Sequence, residues 1–292
     1  MNYQKLCEDA SFFGGAVISG LKAKHVEKKD DKYVGHHAIV SEADYLSQRA
    51  ILSVLEKDKS SYLLTEEVVK DLKNQRRTIN ENNLSALENL GVYIIDELDG
   101  SSSFLTGHYE WGISVGYVKG LEHIAGAIYS PRIRGGTMFS ASKDSGAFIR
   151  IGGGKERISV QKRRLEDSYV IVGVDCFLSK YPKHNKFVTA IANKARTTNS
   201  NGSCALALGL VATGMADVLI QPLQSPWDWA AGKCILEEAG GEMIFYEINN
   251  GEIEVIDKLQ TKHYNPKKRM VGFVAGNREI TNEVMNMLLK TN

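Results

Sequence analysis

The feature that most constrains the fold of this chain is a short apolar run, residues 92–95, that ends abruptly in carboxylates and a Gly-Ser turn. The sequence there reads Val-Tyr-Ile-Ile-Asp-Glu-Leu-Asp-Gly-Ser-Ser-Ser. A few apolar residues bounded by turn formers are typical of a buried strand. Asp96 and Asp99 therefore lie where the backbone leaves the core, and residues 96–107 contain no Lys or Arg to neutralise them. The sequence predicts a cation at this end of the strand.

Two further segments end or begin in the same way. Residues 62–67 read Tyr-Leu-Leu-Thr-Glu-Glu, a short apolar strand followed by two carboxylates. Residues 226–232 read Pro-Trp-Asp-Trp-Ala-Ala-Gly, which predicts a helix with Asp228 in its first turn. Carboxylate oxygens suit a hard divalent ion such as Mg²⁺ or Mn²⁺, whereas clustered His and Cys would indicate zinc.

These three segments, in this order, resemble the inositol monophosphatase family of Mg²⁺-dependent phosphatases. The family pattern is a Glu-Glu pair after a strand, then Asp-Pro-x-Asp-Gly-Thr-x-Asn-Phe, then Trp-Asp-x-Ala-Ala-Gly, and a single such motif could arise by chance. The ordered set extends over nearly the whole chain. Its parts are Glu66-Glu67 and residues 96–104, 129–131, 146–148, 202–205, 212–217, 227–232 and 238–241.

The resemblance implies a set of metal ligands and two or three Mg²⁺ ions, with Mn²⁺ as an alternative. One ion is held by Glu66, Asp96 and the backbone carbonyl of Leu98, and a second by Asp96, Asp99 and Asp228. A third, weaker ion lies beside Glu66. For Asp228 taken alone, the cap of a helix is a competing interpretation.

The resemblance also implies a catalytic pair, Ser101 and Asp44, that acts with Glu66. Ser101 stands where the family has Thr, and Asp44 stands where the family has the Asp that pairs with that hydroxyl. Together they orient and partly deprotonate a metal-activated water. The alternative is that Ser101 and Asp44 only cap the helices in which they lie.

The remaining site residues implied by the family are those that contact phosphate and substrate. Two residues in this set lack the charge that inositol phosphatases carry there, because Asn199 replaces Arg and Gln221 replaces Glu; Cys204 replaces an Ala at the sugar ring. Glu97 and Ser103 replace the family Pro and Asn, so the loop after the first acidic strand is expected to be less rigid. The full set is Gly100, Ser101, Ser102, Asn199, Gly202, Ser203, Cys204 and Gln221.

The composition indicates an ordinary soluble protein. At 292 residues the chain has room for one large domain or two smaller ones, and 43% hydrophobic and 24% charged residues are typical values. A net charge of +1 gives no preference for nucleic acid or an anionic membrane. The four cysteines show no paired spacing, and no apolar run reaches the roughly 18 residues of a membrane span. We expect reduced thiols and a cytoplasmic location.

The hydrophobic pattern predicts an α+β half, residues 1–155, followed by an α/β half, residues 156–292. Apolar residues at helical spacing predict amphipathic helices over 6–21 and 43–54. Residues 111–117 alternate bulky and small side chains, which predicts a strand with one crowded and one close-packed face. A helix over 203–213 and a strand over 216–220 follow. The resemblance implies that these elements form one layered α-β-α-β-α sandwich of the inositol monophosphatase and fructose-1,6-bisphosphatase type, with the metal site between the halves.

The function that follows from this resemblance is a Mg²⁺-dependent phosphomonoesterase acting on a small phosphorylated polyol or sugar, and it implies a lithium-sensitive homodimer. Two related activities share the same metal core: a 3′(2′),5′-bisphosphate nucleotidase and a fructose-1,6-bisphosphatase. A rival of another class is a non-catalytic regulator that keeps the fold and binds a partner. The intact set of acids argues against the regulator, because such a protein has no reason to keep mutually repelling carboxylates.

Overall fold

The structure, a computed structural model, describes residues 1–21, 26–28, 39–69, 77–173, 182–268 and 271–290. Two large sheets and a short two-stranded ribbon, β1 (Val26–Lys28) with β2 (Ile39–Ser41), make up its β-structure. The helices of the described part are α1 (Tyr3–Ile18), α2 (Glu42–Leu55), α3 (Ser101–Thr106), α4 (Pro182–Lys194), α5 (Cys204–Ala212), α6 (Pro226–Glu238) and α7 (Arg278–Leu289). None of them combines the length and apolarity that crossing a membrane requires.

The first sheet has seven strands whose spatial order follows the chain. The first pair, β3 and β4, is parallel, and every later neighbour is antiparallel. The strands are β3 (Tyr62–Thr65), β4 (Gly91–Asp99), β5 (Gly112–Lys119), β6 (Glu122–Ser130), β7 (Thr137–Ser142), β8 (Gly146–Ile151) and β9 (Gly154–Ile158). Because β3 and β4 are parallel neighbours, their carboxyl ends lie side by side at the same end of the sheet.

The second sheet has six strands in the order β11-β10-β12-β15-β13-β14. The pairs β10–β11 and β10–β12 are parallel and the others antiparallel. The strands are β10 (Tyr169–Val172), β11 (Thr197–Asn199), β12 (Val218–Gln224), β13 (Glu242–Asn249), β14 (Glu252–Ile256) and β15 (Val271–Gly276).

The helices separate the sheets into layers. Helices α1 and α2 pack on one face of the first sheet, α5 and α6 fill the space between the two sheets, and α4 and α7 cover the far face of the second sheet. This arrangement confirms the predicted α-β-α-β-α sandwich. The central helices share one apolar core with both sheets, so the end of β4 and the start of α6 are brought together inside the molecule.

Two glycines set the position of α6 on the first sheet. A Cβ at Gly116 would lie 2.9 Å from the backbone nitrogen of Ala231, and a Cβ at Gly126 would lie 2.5 Å from its carbonyl oxygen. The Oγ of Ser114 donates to the carbonyl of Trp227 at 3.2 Å. The face predicted to be close-packed therefore receives α6, while the bulky residues of the same strand face α1 and α2.

The predicted elements differ from the observed ones mainly at their ends. The helix predicted over 203–213 is Cys204–Ala212 with Ser203 as its N-cap, and the strand predicted over 216–220 is Val218–Gln224. The pattern missed β9 and the β13–β14 hairpin. The helix predicted over 6–21 ends at Ile18. Phe13, Val17 and Leu21, apolar residues of the predicted pattern, are exposed, whereas Gly14 and Ile18 are buried. The division into halves at residue 155 falls within β9 and stays a prediction.

The described cysteines fit the expectation of reduced thiols. Cys7 and Cys234 are buried and free, and Cys204 is buried. Cys176 lies outside the described residues.

Candidate active site

Three buried carboxylates meet between the two sheets. Asp96 and Asp99 lie at the end of β4, and Asp228 lies in the first turn of α6. One oxygen from each can be chosen so that all three lie within 4.8 Å of one another. An irregularity in the pairing of β4 with β5 falls between Asp96 and Asp99, and such bulges change the direction of side chains. The structure thus brings together three of the residues predicted to hold a metal.

The electrostatics of this group favour a bound cation. Burial raises the pKa of Asp96 well above its ordinary value, and the charges of Glu66, Asp99 and Asp228 raise it further. Burial also raises the pKa of Asp99 to about 6, although hydrogen bonds from Ser203, Ala205 and Cys204 act in the opposite direction. Carboxylates that repel one another in a buried site are relieved by a positive ion. Because the donors are all oxygens, the set fits a hard divalent cation.

Glu66 and Leu98 lie next to this group. Glu66 directly follows β3, is half-buried, and its backbone N–H donates to the carbonyl of Ile95 at 3.2 Å. It is not one of the three carboxylates that meet within 4.8 Å, but its charge raises the pKa of both Asp96 and Asp99. The backbone N–H of Leu98 donates to Asp96 Oδ1 at 3.0 Å.

Asp99 is also tied to the start of α5. Its carboxylate accepts from the backbone N–H of Ala205 at 2.6 Å and of Cys204 at 3.2 Å, and the hydroxyl of Ser203 donates to it as well. The amino end of a helix favours a negative charge, since its N–H groups have no partner within the helix. Ser203 and Cys204, predicted to contact substrate, are therefore engaged with a predicted metal ligand.

Asp228 is both a helix cap and a member of the carboxylate group. Its Oδ2 accepts from the backbone N–H of Ser225 at 2.8 Å, within a capping box at the start of α6. The two interpretations of this residue that the sequence left open are thus compatible. The cap fixes the side chain on a helix that the close approach to the sheet already holds in place.

The predicted catalytic pair is in contact. Asp44 is buried in the first turn of α2, and Ser101 is the first residue of α3. The Oγ of Ser101 lies 3.4 Å from Asp44 Oδ1 and donates to the carbonyl of Leu98 at 2.9 Å. Gly100 precedes this helix with φ of 90°, and a Cβ there would lie 2.7 Å from the carbonyl of Glu110, so only glycine fits.

The predicted substrate residues are more widely separated. Ser102 is exposed in α3, and Gly202 packs on Ser103, whose Oγ would lie 2.0 Å from a Cβ at Gly202. Asn199 is exposed on the edge strand β11, where its Nδ2 donates to the Tyr169 hydroxyl at 2.9 Å. It lines a cavity of about 220 Å³ whose walls contain none of the three carboxylates.

Gln221 is the other neutral replacement and is buried on β12. Its Oε1 accepts from Gln224 Nε2 at 3.3 Å. A Cβ at Gly173 would overlap this amide, at 1.7 Å from the same oxygen. Gly173 and Gln224 therefore fix the orientation of the Gln221 side chain.

Sequence reasoning missed Gln48 and the burial of Glu97. Glu97 is buried, and its Oε1 accepts from Gln48 Nε2 at 2.8 Å, which ties the end of β4 to α2. The expectation that this segment is less rigid than in the family stays a prediction. The available signal was the spacing of Gln48, four residues after Asp44 and hence on the same face of α2.

Comparisons with known proteins agree with this fold. The sequence model of the inositol monophosphatase family matches residues 5–280. The chain belongs to the inositol monophosphatase family.

Three relatives illustrate the range of the family. A fructose-1,6-bisphosphatase/inositol-1-monophosphatase of Aquifex aeolicus is 29% identical over 244 residues, 82% of this chain and 84% of that protein. A protein named Nus factor SuhB from Xylella fastidiosa is 32% identical over 152 residues, 51% of this chain and 53% of that protein. The crystal structure of the extragenic suppressor protein suhB from Bartonella henselae superimposes with a TM-score of 0.75 at 25% identity, covering 98% of both chains.

Proposed function

We propose that this protein is a Mg²⁺-dependent phosphomonoesterase that hydrolyses a small phosphorylated polyol or sugar. The observation that carries the proposal is the convergence of Asp96, Asp99 and Asp228, buried and within 4.8 Å of one another. Membership of the family supports the reaction class. A stable fold has no need for three adjacent buried carboxylates, and the charges of Asp99 and Asp228 raise the pKa of Asp96. A bound ligand best explains why the fold keeps this unfavourable arrangement.

Asp96, Asp99 and Asp228 would together hold one divalent cation. Glu66, Asp96 and the carbonyl of Leu98 would hold a second, and a third would lie beside Glu66. When bound, divalent cations stabilise the charge of the phosphate and of the leaving alkoxide and lower the pKa of a nearby water. Mn²⁺ has the same ligand preference and would serve as a substitute.

The chain itself supplies the proton acceptor. The Ser101 hydroxyl would accept a hydrogen bond from the attacking water while its own proton is directed to Asp44, 3.4 Å away. Asp44 is nearly inaccessible to solvent, so a charge there acts strongly on its neighbour. Backbone amides of Gly100, Ser101 and Ser102 at the start of α3 would bind the phosphate oxygens.

The alcohol part of the substrate would lie against the start of α5 and near β12. Gly202 is exposed just before α5, and the amides of Asn199 and Gln221 would bond to hydroxyls rather than to charges. The neutral side chain of Gln221 supports an uncharged polyol or sugar moiety and disfavours a second phosphate at that position. A fructose bisphosphate or a nucleoside bisphosphate remains the alternative substrate. The Aquifex relative is named a fructose-1,6-bisphosphatase as well as an inositol-1-monophosphatase, which is a reason to test fructose 1,6-bisphosphate.

A regulatory function is the second candidate, and the Nus factor names among the relatives favour it. We propose that any such role is added to catalysis, since Ser101, Asp44 and the three carboxylates are all present. We further propose a cytoplasmic homodimer, in line with the absence of paired cysteine spacing and the family resemblance. Light scattering after gel filtration would measure the oligomeric state.

The deciding experiment is a phosphatase screen with Mg²⁺ and with EDTA. The substrates are inositol phosphates, sugar phosphates, fructose 1,6-bisphosphate, histidinol phosphate and adenosine 3′,5′-bisphosphate. Release of phosphate from one class, dependent on Mg²⁺ and absent in Asp228→Asn, supports the proposal. No release from any ester, or release that persists in EDTA, contradicts it.

A further inference from the structure

The register of β3 and β4 places four acidic residues in two opposite pairs. Thr65 is opposite Ile95 in this parallel pair. Just beyond β3, the N–H of Glu66 donates to the carbonyl of Ile95 and the N–H of Glu67 approaches Glu97, so Glu66 lies next to Asp96 and Glu67 next to Glu97. Successive residues of a strand point to opposite faces. Leu64 and Ile94 face the central helices, whereas Leu63 and Ile95 face α1 and α2. Asp96 therefore points to the carboxylate group, and Glu97 points away from it.

A single side chain joins the two strand ends on that second face. The Nε2 of Gln48 donates to Glu97 Oε1 at 2.8 Å and to the backbone carbonyl of Glu67 at 2.9 Å. The backbone N–H of Glu67 also approaches Glu97 Oε2, at 3.4 Å. Gln48, Glu67 and Glu97 each have 4% or less of their surface exposed. A buried carboxylate needs hydrogen-bond donors. Of the two donors to Glu97, Gln48 makes the shorter hydrogen bond.

The helix that carries Gln48 is also the one that carries Asp44. Residues four apart lie on the same side of a helix, so one face of α2 contacts both Ser101 and the ends of β3 and β4. Movement of α2 or rotation of Gln48 would change the separation of Glu66 and Asp96. Glu66 follows β3 and Asp96 lies in β4, so two neighbouring segments supply these two proposed ligands.

We propose that Gln48 is a positioning residue for the metal site, acting through Glu97 and the Glu67 carbonyl to hold Glu66 and Asp96 at the separation that one cation requires. The inference rests on the proposed function, because it assumes that these residues bind a metal. It adds a residue that touches neither metal nor substrate. Hydrogen bonds from residues that do not bind the metal, but that orient the residues which do, commonly affect metal affinity by about 10- to 100-fold.

The test measures Mn²⁺ affinity by electron paramagnetic resonance, with no substrate present. Gln48→Met keeps the length of the side chain and removes the donor, and we expect the dissociation constant to rise about 10- to 100-fold. Gln4→Met is the matched control, because Gln4 also lies on a helix and donates to a buried glutamate, Glu8, at 3.3 Å. Its Mn²⁺ affinity should equal that of the wild type. Melting temperatures of both variants separate a general loss of stability from a change in the site.

Variants of the partner residue complete the design. Glu97→Met removes the same bond from the strand side, and it serves should Gln48→Met fail to fold. Glu97→Gln keeps an oxygen that accepts from Gln48, so its affinity should stay within about threefold of the wild type. The double variant Gln48→Met/Glu97→Met should bind no more weakly than the weaker single variant, since both changes delete one interaction.

The outcomes distinguish a failure of the positioning role from a failure of the proposed function. Equal Mn²⁺ affinity in wild type and Gln48→Met, or an equal loss in Gln4→Met, overturns the positioning role while the proposed function stands. A weak Glu97→Gln variant also counts against it, because the oxygen acceptor is retained. A wild-type chain that binds no Mn²⁺ overturns the proposed function and this inference together.

Discussion

The Oγ of Ser101 lies 3.4 Å from Asp44 Oδ1 and thereby links the first turn of α3 to the first turn of α2. The same hydroxyl donates to the carbonyl of Leu98 at 2.9 Å. A hydroxyl has one proton, so it can be given to only one of these acceptors at a time. If the carbonyl oxygen of Leu98 binds a cation, as proposed, it no longer accepts from Ser101. The Ser101 hydroxyl then donates its proton to the hydrogen bond with Asp44. Metal binding and the orientation of Ser101 are then coupled.

Replacing Ser101 should slow turnover and leave metal binding nearly intact. The hydroxyl only orients and polarises a water, so we expect Ser101→Ala to lower kcat by about 10²–10⁴-fold, the usual range for loss of a general base. The measurement is steady-state kinetics at saturating Mg²⁺, with Mn²⁺ affinity as the control.

Asp44→Asn should give a loss of similar size, and the double variant Ser101→Ala/Asp44→Asn should lose little more. Residues that act as one unit are not additive. Fully multiplied losses would show that Ser101 and Asp44 act separately and that the contact between them is only a helix cap.

Asp96→Asn should stabilise the metal-free protein while it weakens metal binding. Asparagine keeps the oxygen that accepts from the Leu98 N–H and removes a charge that Glu66, Asp99 and Asp228 repel. In EDTA we expect a rise in Tm of a few degrees, since about 1 kcal/mol shifts the Tm of a domain of this size by about 2 °C. With saturating Mg²⁺ the order should reverse, because only the wild type gains the free energy of binding.

This stabilisation should depend on pH with a defined sign. The native environment raises the pKa of Asp96 above its ordinary value of 3.8. Below that pH the carboxyl is protonated in both native and unfolded states, and the two chains should melt alike. As pH rises, Asp96 ionises in the unfolded chain at a lower pH than in the native protein. The wild type therefore becomes less stable relative to Asp96→Asn. Calorimetry in EDTA from pH 4 to 8 should therefore show a growing difference, and a constant difference would argue against charge repulsion.

The carboxylate group could be predicted from sequence because local rules place each member. Asp96 and Asp99 follow a run of apolar residues that must be buried, and Asp228 follows a proline that starts a helix. Each of these positions depends on its own segment. The resemblance to the family then implied that the segments meet, and the layering of the helices between the sheets brings them together.

The surroundings of the site could not be predicted, because they depend on contacts between distant segments. The hydrogen bond from Gln48 to Glu97 requires the register of β3 on β4 and the packing of α2 on the face of these strands that lies opposite the central helices. In sequence Glu97 is only a charge where a proline was expected. The separation of Asn199 from Gln221 likewise follows from strand order, since β10 lies between β11 and β12.

Asp228→Asn should abolish most of the activity without unfolding the protein. The asparagine can still accept from the Ser225 N–H, so the cap of α6 survives. Losing a cation that stabilises both the nucleophile and the leaving group should raise the barrier by several kcal/mol, a rate loss of at least about a thousandfold. Turnover in Mg²⁺ together with circular dichroism would check both parts. Near-normal rates with an intact fold would remove Asp228 from the ligand set.

Lithium should inhibit the enzyme if Asp99 and Asp228 hold an ion together with Asp96. The resemblance implies that Li⁺ occupies this site after phosphate transfer, and all three carboxylates are present and adjacent. Rates in LiCl should fall below those in KCl at the same ionic strength, which serves as the control for screening. Equal rates in the two salts would show that this second site differs from that of the family.

Specificity should change with Gln221, because its amide is held in one orientation by Gly173 and Gln224. Gln221→Glu keeps the shape and the oxygen that accepts from Gln224, and it adds the charge that inositol phosphatases have there. A hydrogen bond to an ionised acceptor exceeds a neutral one by about 1–2 kcal/mol, so kcat/KM for inositol 1-phosphate should rise about five- to thirtyfold. For p-nitrophenyl phosphate, which lacks ring hydroxyls, kcat/KM should barely change, since the metal ligands are untouched. Gln161→Glu, an equal charge change at an exposed glutamine that makes no contact with Gln221, is the matched control and should not favour the inositol ester. If the wild type already prefers inositol 1-phosphate over every other ester, or if Gln221→Glu raises both rates alike, then the neutral Gln221 is not what sets the preference.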